Sequence, residues 1–102
     1  TANNEETLAV HGALADIWLA SKGDCAAAGE KMQVWVAANP ERAEKVRVDL
    51  VAIQKGEKPA GAPHPEYSAV FLKLSPALTE CRSEPRVEQA LVAVGFYRPS
   101  SK

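Results

Sequence analysis

The residues of this chain with the most chemical potential are two cysteines, Cys25 and Cys81, and two histidines, His11 and His64. Two cysteines in a small domain allow one intramolecular bridge. Cys25 falls on the apolar face at the start of a predicted second helix. Cys81 falls on the apolar face at the end of a predicted fourth, and in an antiparallel arrangement these two ends meet. A bridge closing so long a loop stabilises by about 4 kcal/mol on a chain-entropy argument. Disulfides of this kind persist in oxidising compartments. The expectation is therefore a Cys25–Cys81 disulfide and an extracytoplasmic location: periplasmic, secreted or cell-surface. Two other readings exist. The thiols are free and buried in a cytosolic protein, where Cys behaves as a small hydrophobe, or Cys25 is a reactive thiol activated by a helix N-terminus. No CxxC spacing and no nearby histidine supports the last.

A metal site needs several converging ligands, usually three or four residues apart on a helix. Thr7, Leu8, Leu14 and Ala15 surround His11 at those spacings, and none is a ligand. His64 has Glu66 nearby, but in a proline-bound loop. Both histidines read as ordinary solvent-facing side chains, with no metal and no cofactor. Covalent haem attachment would need CxxCH, which is absent; a His11–Met32 axial pair is the one conceivable arrangement for haem. No G-x-S-x-G elbow occurs, and the carboxylates spread over helix surfaces. The expectation is no catalytic residue and no enzyme.

Aromatic residues remain. Trp18 and Trp35 lie one on each of the first two helices and are expected in the core, which is poor in large side chains. The alternative is that a Trp lines a groove or small apolar cavity with Met32 or Tyr67. The segment Pro63-His64-Pro65-Glu66-Tyr67 is the most distinctive stretch. Two prolines hold His64 extended, and a rigid, partly aromatic loop suits partner contact as well as a stiff connection. Trp18, Met32, Trp35, His64 and Tyr67 are thus the candidate binding residues.

The elements that must position these side chains are helical. Thr7 to Ser21 carries a broad apolar face, with Leu8, Gly12, Ala15, Trp18 and Leu19 flanked by Val10, Leu14 and Ile17. Gly23 stops it, and Asp24 caps a second helix bearing Cys25, Ala28, Met32, Trp35 and Val36. Asn39-Pro40-Glu41 starts a third, Asn as the cap and Pro at the first helical position. It carries Ala43, Val46, Leu50 and Ile53 and ends at Gly56. The linker to Pro65 precedes a fourth helix with Tyr67, Val70, Phe71, Leu74, Leu78 and Cys81. Pro76 lies within it and is read as a kink rather than a split. Ser83-Glu84-Pro85 starts a fifth, and Gly95-Phe96 matches a Schellman ending. The fold class is all-α, a small four- or five-helix bundle, with the longest connection between helices three and four. Residues 1–6 are expected to be a flexible N-terminal segment, 7–97 a single helical domain and 98–102 a flexible tail.

The totals agree with one globular domain. The chain has 102 residues, 46% hydrophobic and 25% charged. A net charge of -1 gives no basic footprint for nucleic acid, and no apolar run reaches the ~18 residues of a membrane span. The chain starts Thr1-Ala2-Asn3 with no initiator Met. A removed signal peptide, a trimmed lipoprotein linker or a recombinant start would each produce this, so an upstream lipid anchor stays open. Function is expected to be that of a non-enzymatic extracytoplasmic interaction or accessory domain, lipoprotein-like, that binds another protein. The alternative is a carrier of a small apolar ligand within the bundle.

Overall fold

A computed structural model describes residues 2–59 and 64–97, with side chains from Glu5 onward in the first of these segments. Five helices follow one another: α1 (Ala2–Ser21), α2 (Cys25–Ala38), α3 (Pro40–Gln54), α4 (Tyr67–Glu80) and α5 (Pro85–Ala93). No strand occurs among the described residues.

Local chemistry sets the boundaries. α1 begins at Ala2, five residues ahead of the expected Thr7, so residues 2–6 are helical. Its end is a tight left-handed turn at Lys22 (φ 52°) and Gly23 (φ 85°). The Asp24 carboxylate then accepts the Ala27 N–H at 3.1 Å and caps α2 as expected. Asn39 behaves differently from its expected role. Pro40 does open α3, but the Asn39 amide donates backward to the Trp35 carbonyl at 2.9 Å and makes no side-chain cap. The last carbonyls of α2 compete for that amide, and only one residue separates the two helices.

α4 is continuous through Pro76 from Tyr67 to Glu80, which excludes a split. α5 closes in a full Schellman motif: Phe96 N–H donates to Leu91 O (2.9 Å) and Gly95 N–H to Val92 O (3.0 Å).

The helices pair unevenly. α2 packs mainly on α5, and α1 mainly on α4, while α1 also touches α2 and α3. Gly29 permits the α2–α5 approach: a Cβ there would lie 2.9 Å from Arg86 Cβ and 3.3 Å from the Val87 nitrogen. The core is built from Val10, Leu14 and Trp18 of α1, Met32 of α2, Val46 of α3, Leu74 of α4 and Leu91 of α5, with alanines between them. Small side chains bring the backbones close, and dense packing replaces large apolar payload.

The disulfide joins Cys25, the first residue of α2, to Cys81, the residue after α4, with the Cα atoms 5.4 Å apart. The expected pairing of these two ends is realised. The chain is an all-α bundle closed by one disulfide.

Candidate functional site

His11 is the residue whose environment departs furthest from expectation. It is fully buried, not solvent-facing. The reason lies in its phase: His11, Leu14, Ala15 and Trp18 stand at i, i+3, i+4 and i+7 and share the face that α1 buries. Burial leaves both ring nitrogens in need of partners, and both have one. Nε2 lies 2.7 Å from the Val94 carbonyl and Nδ1 lies 2.7 Å from the Tyr67 hydroxyl. A carbonyl only accepts, so Nε2 carries the proton. In the neutral ring Nδ1 then accepts from the Tyr67 O–H. The imidazole thus ties α1 to the start of α4 and to the end of α5.

Aromatic rings surround this node. Phe96 meets His11 edge-on with centroids 5.3 Å apart, and Tyr67 lies tilted at 5.7 Å. Phe71, half-exposed on α4, packs on Phe96 at 5.6 Å. The cluster runs from the core to the surface. Its electrostatics suppress charge. Burial holds His11 down at about 4, with the Val94 hydrogen bond opposing. Burial pushes the Tyr67 phenol up to about 12. Near neutral pH both groups are uncharged.

Beside the node, α1 and α4 run side by side in the same direction. His11 and Gly12 meet Tyr67 and Val70 near the start of α4, and Asp16 shares a groove with Lys73 further along. This groove holds about 700 Å³, open to solvent, over a floor of Ala9, Gly12, Ala13 and Ala69. A second cleft of about 380 Å³ lies between the end of α4 and α5, with Leu78, Arg82, Val87 and Tyr97 in its walls. The outer face of α4 exposes Leu72 (71%) and Phe71 (48%). Between Glu66 and Glu80 that helix carries one charge, Lys73.

The candidate binding residues do not share one surface. Trp18 and Met32 are core residues. Trp35 packs partly on the core from α2, with the Arg42 guanidinium 5.7 Å above its ring, and Arg42 itself is held by Glu6 at 2.8 Å. His64 and Tyr67 come together: the Tyr67 N–H donates to the His64 carbonyl at 3.0 Å, and His64 Nδ1 accepts the Glu66 N–H at 3.1 Å. Pro63, the first proline of that segment, lies outside the described residues, as do 98–102 of the expected tail. The sequence offered His11 only as a metal or haem ligand and Phe96 only as part of a helix ending, although helical spacing places His11 on the buried face.

Among the described residues no group of three or more His, Cys, Asp or Glu side chains converges to hold a metal ion. No helix among them is long and apolar enough to cross a membrane. Comparison with protein-family models, curated proteins and solved structures returned no match. Any functional reading therefore rests on the geometry above.

Proposed function

We propose that this chain is a non-enzymatic helical interaction module of an oxidising, extracytoplasmic compartment, and that it binds another protein through the outer face of α4. The observation that carries the reading is the exposure of Leu72 and Phe71 on a helix whose charges are Lys73 and the terminal Glu80 alone. Burying such side chains against a partner contributes about 1.5–3 kcal/mol each. The adjoining α1–α4 groove, floored by alanines and Gly12, offers a backbone-close track for a partner helix.

The oxidised Cys25–Cys81 pair favours a periplasmic, secreted or cell-surface setting, with or without an upstream lipid anchor. The node residues favour binding over catalysis. An imidazole held near 4 and a phenol near 12 are poorly matched to proton transfer around neutrality. A carrier of a small apolar ligand would need an enclosed apolar space, and the two clefts described are open at the surface.

The test places a photo-crosslinking benzoyl-phenylalanine at position 72 in the native host. The expected result is a discrete adduct with one protein that does not form from position 89 on α5 and disappears with Phe71→Asp. A chain that stays uncrosslinked at 72 overturns the reading. Native mass spectrometry of the same material, showing a bound small molecule, would favour the carrier instead.

A further inference from the structure

The two ends of α4 are held in chemically different ways. At its C-terminal end Cys81 is bonded covalently to Cys25. At its N-terminal end the Tyr67 hydroxyl is hydrogen-bonded to the buried His11 imidazole. The helix between them, 14 residues and about 21 Å long, rests mainly on α1 and only lightly on α5. Its chain connection to α3, residues 55–66, is the longest in the fold.

We propose that α4 is a hinged flap, fixed at Cys81 and held shut where Tyr67 meets the neutral, buried His11 ring, and that a charged His11, which prefers water to this buried site, favours the open flap. This goes beyond the binding role assigned to the outer face of α4 and stands independently of it. Opening would lift Tyr67, Val70 and Leu74 off α1 and bring His11 into water.

The charged surroundings favour His11 as the trigger. From α4, Tyr67 is the titratable group that meets the ring. From α5 and its cap come only the Val94 carbonyl and the Phe96 ring. From α3, Arg42 is held by Glu6, and Arg47, whose Cα lies against Gly95, has Glu44 within 4.0 Å. The charges of α2, Glu30 and Lys31, are exposed, and so are Asp16, Glu66 and Lys73 around the groove. The named carboxylates all lie at the surface, and none pairs with the imidazole. Burial therefore sets its preference for the neutral form, and water reverses that preference. The closed state holds His11 near 4 against 6.5 when free. The opening equilibrium then rises about tenfold at pH 5.5 and about thirtyfold at pH 5, relative to pH 8.

Amide hydrogen exchange, corrected for intrinsic rate, reads this on the intact oxidised protein. Between pH 8 and 5, protection of residues 67–74 should fall by these factors, and at each pH it should stay below that of 25–38 and 85–93, which exchange only through global unfolding. His11→Gln should remove the pH dependence. If that variant does not fold, Tyr67→Phe, which keeps the ring and deletes the hydroxyl, should show reduced protection of 67–74 already at pH 8. Equal protection of 67–74 and the other helices at each pH, or no change at 67–74 through the His11 titration, overturns the flap.

Discussion

Gly29 on α2 faces Arg86 on α5 with no room for a methyl group between them. A Cβ at 29 would meet Arg86 Cβ at 2.9 Å, and Glu84 and the Val87 backbone are also within contact. Beside it the Gln33 amide donates to the Arg86 carbonyl at 3.0 Å, so α5 is pinned there by backbone as well as packing. Gly29→Ala gains helix propensity of up to about 1 kcal/mol. The clash, which no flexible side-chain tip can relieve, costs about 1–3 kcal/mol. The expected net result is destabilisation, read as a lower urea midpoint. Gly12→Ala is the contrast: its nearest neighbour is Val70 Cγ2 at 4.0 Å, so the propensity gain should dominate and the midpoint should rise.

Acid should weaken the fold through His11. The folded protein favours the neutral ring, so this contribution is complete above pH 6.5 and is lost as the pH falls toward about 4. A shift of that size corresponds to about 3 kcal/mol, at roughly 1.4 kcal/mol per pH unit. Urea titrations at pH 7, 5.5 and 4 measure it, and the difference between the wild type and His11→Gln isolates it from the carboxylates. Parallel pH profiles for the two proteins would remove His11 as the cause.

Tyr67→Phe keeps the ring contacts but leaves His11 Nδ1 without its donor. An orphaned buried acceptor costs about 1–3 kcal/mol. The same variant has a spectroscopic signature. In the wild type one phenol should ionise late, near pH 12, by absorbance at 295 nm. That late step should vanish with Tyr67→Phe.

Reduction of Cys25–Cys81 releases a closed loop with a sequence separation of 56. The expected loss is about 4 kcal/mol, a large share of the 5–15 kcal/mol typical of domains. Thermal unfolding with and without a phosphine reductant, and with the Cys25→Ala/Cys81→Ala pair, should both show it. A loss below about 1 kcal/mol would mean that helix packing alone holds the ends together.

Much of this architecture was readable from local chemistry. Asp24, Gly23, Pro40, Gly56 and Gly95 punctuate the chain where one residue type satisfies one backbone need, and such needs are met within a few residues. The cysteine pairing was readable because only one bridge was available. What escaped depends on neighbours distant in sequence. His11 was read by residue type, as polar and therefore outside, although its phase put it inside; only the Tyr67 hydroxyl and the Val94 carbonyl, 56 and 83 residues away, make that burial affordable. Asn39 was read as a cap, but the Trp35 carbonyl offered its amide a nearer partner. Phe96 was read as part of a Schellman ending, and its contacts with His11 and Phe71 required knowing that α1 and α4 flank that end.

The Cys25–Cys81 bond also decides what a protease can do to this molecule. Residues 26–80 all lie inside the ring it closes, and that ring contains α3, α4, all of α2 after Cys25, and the long connection before α4. A single cut anywhere within it yields two fragments that still migrate as one species until a reductant is added. A cut before Cys25 or after Cys81 instead frees α1 or α5, each tethered by packing alone. In a protease-rich compartment the nicked form would persist as a two-chain protein, with the wound confined to the ring and the bundle still assembled around it.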